Sequence, residues 1–186
     1  MNFFKRANDQ AILRRCPSVT QVQESECGPA SLGMLLAYYK CYVLLPRLSE
    51  ECKVTRDGTH VLKLLSVANQ YGLNLGAKPY KFERLKENTN IPCMAYWQYS
   101  HWIVIEGYDN SGVYVNDPGN GRSLIKDEDF KRGYSNILLK VVDSSNVIKQ
   151  GSPWLLEGLL IKAVRPLYSD LFLTILFSTL FALPSI

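Results

Sequence analysis

The sequence predicts an α+β fold, with N-terminal helices packed on an antiparallel β-sheet. Two observations predict it. In the first half, apolar residues recur at helical spacing: Leu32, Leu35, Leu36 and Tyr39 share one helix face, and Val61, Leu64, Leu65 and Ala68 share another. After Leu73 the period changes to short, alternating, aromatic-rich runs separated by turn residues, as in half-buried strands. Helices first and strands second indicate an α+β rather than an alternating α/β arrangement.

Taken in order, residues 1–19 are polar and basic, with Lys5, Arg6, Arg14 and Arg15 against Asp9. They lack the apolar centre of a secretory signal and read as an arm or short helix. A polar loop from Gln21 to Glu26 feeds the first helix, which starts at Cys27. Pro29 suits its first turn, where a missing N–H costs nothing. A short helical patch follows at 48–52, a turn at 55–59 and a second helix at 60–71, stopped by Gly72. Strands are expected at 75–80, 93–98, 102–108, 113–116 and 137–142, with a helical turn at 82–86. Asp109-Asn110-Ser111-Gly112 and Asp117-Pro118-Gly119-Asn120-Gly121 read as hairpin turns.

Residues 149–153 read as a linker, and 154–168 as amphipathic. Residues 171–186 carry no charge. This run is shorter than the ~20 residues that cross a bilayer and reads as the start of a transmembrane helix. Lys162 and Arg165 precede it, which favours keeping that side cytoplasmic. The expected organisation is an arm at 1–15, a catalytic domain at 16–145, a linker at 146–153, and an amphipathic helix with the membrane segment at 154–186.

Composition bounds the function. The chain has 186 residues, 47% hydrophobic and 20% charged, and a net charge of +4. No basic stripe interleaves with aromatics, so nothing points to nucleic acid. Five cysteines stand at 16, 27, 41, 52 and 93 without a C-x-x-C pair, which argues against a zinc ribbon and for a reducing compartment. No G-x-x-x-x-G-K-[ST] phosphate loop occurs, so ATP binding is not expected of these residues.

The chemistry concentrates at Cys27. A thiol at a helix start faces free N–H groups and the positive end of the helix dipole, which favour the reactive thiolate. Gln21, six residues upstream, can offer an amide N–H to a developing oxyanion together with a backbone N–H. Of the two histidines, His101 stands at the mouth of an apolar strand, and His60 at a helix start, where a structural role is expected. In an antiparallel pair the start of one strand lies beside the end of the next, so Asp117 can orient His101. Taken singly, Cys27 could be a helix-capping core residue, His101 a core histidine and Asp117 a turn-former. Jointly they form a Cys27, His101, Asp117 order with Gln21 as oxyanion donor, the papain-like arrangement.

These residues carry a family resemblance. Gln21-x-x-x-x-Glu26-Cys27-Gly28-Pro29-Ala30-Ser31 resembles the cysteine motif of C39 peptidases, the N-terminal domains of bacterial ABC transporters that export bacteriocins and similar peptides. His101-Trp102-Ile103-Val104 and Asn116-Asp117-Pro118 resemble that family's histidine and aspartate motifs, and Gly58-Thr59 also fits. The resemblance covers about residues 16–143. Glu26 stands where many members have Asp, and Trp102 where many have Phe.

The resemblance implies a papain-like cysteine peptidase that removes a leader after a double-glycine type motif, coupled to export. Cys27 would be the nucleophile, His101 the base, Asp117 the orienting carboxylate and Gln21 the oxyanion donor. Tyr96, Trp97, Tyr99 and Trp102 are candidate walls of a cleft that admits only small residues, with core and cross-strand packing the alternative for each. No metal or cofactor is implied for the peptidase; ATP would act only through nucleotide-binding domains outside this chain. The implied partners are a precursor peptide, the membrane and the rest of a transporter, with the domain on the cytoplasmic side of a bacterial membrane. The alternatives are a leader-docking module that does not cut, another thiol acyl-transfer enzyme such as an amidase, and a metal site built from Cys27, His101 and Asp117.

Overall fold

A computed structural model describes residues 12–86 and 90–153. Three helices come first: α1 (Cys27–Tyr38), entered through a 3₁₀ turn (Glu24–Glu26), then α2 (Leu45–Glu51) and α3 (Val61–Gln70). The strands are β1 (Ile12–Leu13), β2 (Asn74–Pro79), β3 (Cys93–Trp97), β4 (His101–Tyr108), β5 (Val113–Asp117), β6 (Gly121–Ile125) and β7 (Tyr134–Asp143). Two short helices, α4 (Phe82–Leu85) and α5 (Asp127–Gly133), join them. All pairings are antiparallel, in the order β2-β7-β3-β4-β5-β6, with β1 against the far end of β4.

The period-2 alternation of β3 and β4 divides the interior into two cores, one on each face of the sheet. Met94, Trp102 and Val104 face the helices, with Leu32, Leu35, Leu64 and Leu139. Ala95, Ile103 and Ile105 face the other side, with Val113, Val115, Phe130 and Leu138. The first helix is buried on every side rather than along one stripe, with Cys27 through Ala37 all inside. It is apolar all round because α2, α3 and β4 enclose it. Ser31 is the polar exception, and its Oγ donates to the Trp102 carbonyl at 3.1 Å, which pins the helix carrying Cys27 to the strand carrying His101.

Sequence periodicity missed three elements. The edge strand β6 reads Gly-Arg-Ser-Leu-Ile and is mostly exposed, so it shows no alternation. Helix α5 buries only Phe130. β1 converts the end of the expected N-terminal arm into sheet, and its crossing explains Gly107, where an added Cβ would lie 2.2 Å from the Ile12 carbonyl oxygen. Beyond β7, residues 146–150 fold back onto the helices. The Ile148 N–H donates to the Tyr71 carbonyl at 3.0 Å, and the Tyr42 N–H to the Gln150 carbonyl at 2.9 Å. The amphipathic and membrane segments expected at 154–186 lie outside the described residues, among which no helix is long and apolar enough to cross a membrane.

Candidate active site

Cys27 occupies the first position of α1 and is 4% exposed. His101 opens β4 and Asp117 closes β5. These strands are adjacent, and their register, with Val104 opposite Asn116, brings the start of one beside the end of the other. His101 Nε2 lies 2.7 Å from Asp117 Oδ1. The His101 ring also hydrogen-bonds the Cys27 side chain. With Nε2 turned to the carboxylate, Nδ1 is the nitrogen left for sulfur.

Burial alone would pull the His101 pKa down, but contact with Cys27 and then with Asp117 outweighs it and raises it to about 9. The ring therefore carries its proton at neutral pH. Asp117 shifts the other way. Burial opposes ionisation, but hydrogen bonds from Asn120 and His101 and from the Gly119 N–H hold the carboxyl below its ordinary value. Asp117 also ties its own turn, accepting from the Gly119 N–H at 2.8 Å and from Asn120 Nδ2 at 3.0 Å. The turn-forming and histidine-facing arrangements coexist in one side chain.

Gln21 lies over that same turn. Its N–H donates to the Pro118 carbonyl at 3.0 Å, and its Nε2 approaches to 3.5 Å of the point where a Cβ on Gly119 would sit. Its Oε1 is buried without a hydrogen-bond partner among the described residues. The loop between Gln21 and Cys27 is stapled by Glu26, which the sequence showed only as a departure from the family motif. Glu26 Oε2 accepts from the Val22 and Gln23 N–H groups, each at 3.0 Å, and Oε1 accepts from Ser49 Oγ at 2.9 Å. The signal was available: a carboxylate directly before a helix start can satisfy free N–H groups there.

The aromatic quartet divides. Tyr96 and Trp102 stack with ring centroids 4.8 Å apart and line a cavity of about 390 Å³ shared with Thr59, His60, Val61 and Ile137. Trp102 also touches the Gly28 position beside Cys27, where a Cβ would stand 3.4 Å from its Cδ1 and from a Leu64 methyl. Gly28 thus lets α1 approach α3 and β4 closely, besides leaving room near sulfur. Thr59 Oγ1 is buried without a partner among the described residues. Tyr99 is 75% exposed, and its carbonyl accepts from Tyr96 Oη at 2.8 Å. Trp97 is not in the cleft. Alternation turns it to the other face, where it packs on Phe130 at 5.2 Å between centroids and fills the space above Gly133. His60 is exposed at the start of α3, on the cavity rim.

The other four cysteines are buried and unpaired. Burial raises the pKa of Cys16 and Cys41, and pushes Cys52 and Cys93 up to about 12. Among the described residues, no three His, Cys, Asp or Glu side chains converge as metal ligands would.

Residues 15–146 match the peptidase C39 family. The chain is 25% identical over 142 residues to the probable microcin-H47 secretion/processing ATP-binding protein MchF of Escherichia coli, covering 76% of this chain and 20% of that protein. It is 30% identical over 140 residues to the transport/processing ATP-binding protein ComA of Streptococcus pneumoniae, covering 67% of this chain and 18% of that protein. It therefore spans about a fifth of the length of these relatives. Among solved structures, a double glycine motif protease from an AMS/PCAT transporter, crystallised with the leader peptide, superposes with a TM-score of 0.67 at 36% identity, covering 70% of this chain and 96% of that one. The peptidase domain of Streptococcus ComA superposes with a TM-score of 0.63 at 19% identity, covering 68% and 97%, a likeness of fold. The family match runs from just after β1 to just past the end of β7, and on that ground the chain belongs to the peptidase C39 family of cysteine peptidases.

Proposed function

We propose that this domain cuts a precursor peptide after a double-glycine type motif and releases its leader, as part of a peptide exporter. The observation that carries the reading is His101 held between Cys27 and Asp117 beside a cavity walled by Tyr96 and Trp102. The similarity to a double glycine motif protease at 36% identity supports the substrate class.

The geometry supports one course for the reaction. The Cys27 sulfur attacks the carbonyl carbon of the second small residue. Negative charge collects on the carbonyl oxygen, where the Gln21 amide and a backbone N–H at the start of α1 would receive it. The C–N bond then breaks as His101 gives its proton to the leaving amine, and the leader remains as a thioester on Cys27. Water, losing a proton to His101, hydrolyses that thioester, which frees the leader's carboxyl end and restores the sulfur anion beside the charged ring. Asp117 holds the ring and favours its charged form throughout. Tyr96 and Trp102 would narrow the approach so that only residues without bulky side chains pass.

The peptidase step uses no cofactor in this reading, and ATP enters only through nucleotide-binding domains outside the chain. The partners are the leader peptide, the membrane and the rest of the transporter, and the domain works on the cytoplasmic side of a bacterial membrane. A synthetic peptide with an amphipathic leader, a Gly-Gly junction and a short cargo tests the reading by mass spectrometry. A single cut after the second glycine is expected, lost in Cys27→Ala while peptide binding remains. Binding without cutting by the unaltered chain would make it a docking module and overturn the proposal.

A further inference from the structure

Beyond His101 at its start, the strand β4 carries one carboxylate in an otherwise apolar run, Glu106, which is 1% exposed. The register between β4 and β5 slips between Ile105 and Gly107, and this bulge surrounds Glu106. Its carboxylate gathers four hydrogen bonds. Oε1 accepts from the Cys16 N–H at 2.8 Å, Asn116 Nδ2 at 3.1 Å and Arg122 Nε at 3.3 Å; Oε2 accepts from Arg122 Nε at 3.0 Å. Arg122, on the edge strand β6, reaches onward and donates through Nη2 to the Cys16 carbonyl. Asn116 Nδ2 also donates to Ser18 Oγ at 3.1 Å. The Glu106 carbonyl accepts from the Arg14 N–H at 2.7 Å.

Four of these seven bonds land on the segment from Arg14 to Ser18. That segment leads directly to Gln21, whose own N–H is tied to Pro118 at 3.0 Å. The extended stretch before the first helix thus has no helix or long strand to hold it. The Glu106–Arg122 pair, with its carboxylate buried and its guanidinium 40% exposed, supplies the hold instead, together with its neighbours. Such a pair is a weak stability device, since an exposed charge gains little and a buried one costs desolvation. What this pair adds is a fixed path for backbone: the Arg122 fork spans a carboxylate and a carbonyl that an apolar side chain could not join.

We propose that Glu106 and Arg122 are positioning residues that fix Gln21 over the Asp117 turn through the Arg14–Ser18 segment. The inference rests on the proposed role of Gln21 in cleavage. Arg122→Lys is the main variant: it keeps the charge beside Glu106 but loses the fork that reaches Cys16. Its kcat should fall roughly tenfold with KM changed less than twofold, within the range of coupled neighbours. In a Gln21→Ala background the same change should cost less than about twofold, because the group it positions is already gone. Iodoacetamide labelling of Cys27, which develops no oxyanion, should keep its rate. Hydrogen exchange at the Cys16 and Gln21 amides should quicken while β3 and β4 stay protected. Glu106→Gln, which keeps an acceptor for the Cys16 N–H, is the second variant and should show the same pattern more weakly. Additive losses in the double variant, or unchanged exchange at Cys16 and Gln21, would overturn the proposal. If the unaltered chain cuts no Gly-Gly peptide, the proposed function fails, and the exchange comparison still decides whether the pair holds the Gln21 segment.

Discussion

Replacing Asp117 by Asn tests how the histidine is tuned. Asn keeps an oxygen for the Gly119 N–H, and its amide can donate to Asn120 once that side chain turns its own oxygen inward, so the hairpin should survive, while the charge 2.7 Å from His101 Nε2 disappears. A hydrogen bond to a charged group is worth roughly 1.5–3 kcal/mol, which corresponds to about 1–2 pKa units. His101, at about 9 in the unaltered site, should therefore drop to roughly 7–8. Cleavage needs the charged ring to protonate the leaving amine, so activity is lost as pH rises through this pKa. At pH 8.5 the charged fraction should fall roughly tenfold in the variant, and at pH 7 less than about twofold. The assay is kcat/KM against pH from 5 to 10 on a Gly-Gly peptide. An alkaline limb that stays near 9 in Asp117→Asn would refute the reasoning, because the carboxylate would then contribute nothing to the ring's charge. The same shift bears on stability. His101 binds its proton more tightly folded than unfolded, from 6.5 to about 9, so its contribution is full below pH 6.5 and disappears as pH rises through 9. The lowered Asp117 pKa acts oppositely, stabilising above its ordinary value and fading as pH falls through the depressed one.

Other outcomes follow from the same geometry. Gln21→Ala should lower kcat by roughly 10²–10³ with KM nearly unchanged, the cost of one oxyanion donor, and near-normal turnover with a lower melting temperature would make Gln21 only a loop residue. Brief iodoacetamide treatment followed by peptide mapping should label Cys27 ahead of Cys16, Cys41, Cys52 and Cys93, since burial raises the pKa of those four thiols whereas Cys27 hydrogen-bonds His101. Glu26→Ala should cost on the order of 1 kcal/mol in chemical denaturation, as loss of a helix-start acceptor does, and should slow turnover by freeing the loop that leads from Gln21.

The helices and the central strands were legible because their apolar residues keep one period over many positions. Leu64, Val67 and Ala68 repeat at helical spacing, and Met94, Trp102 and Val104 alternate with Ala95, Ile103 and Ile105. The contact of His101 with Asp117 was legible from the strand-end geometry of a hairpin, and Cys27 beside them from its place at a helix start. The edge strand β6 was not, because Arg122 and Ser123 face solvent and break the alternation. Nor was the division between Tyr96 and Trp97, which depends on knowing which face of β3 the first helix covers. Glu106 left a readable mark, a lone carboxylate inside an apolar strand. Its partners could not be guessed, since Cys16 and Arg122 are 90 and 16 residues away. Glu26 was read as a departure from a motif, whereas its two oxygens staple the loop.

The central claim is that Cys27 attacks the carbonyl at the end of a small-residue leader. A leader peptide ending in Gly-Gly chloromethyl ketone tests it directly, because the bound peptide delivers its reactive carbon to whichever nucleophile serves the site. Intact-mass and peptide-mapping spectrometry should show one equivalent of leader on Cys27, blocked by excess unmodified leader and greatly slowed in His101→Ala. Labelling at another residue, or none at Cys27 under conditions where the Gly-Gly substrate is cut, would contradict the account.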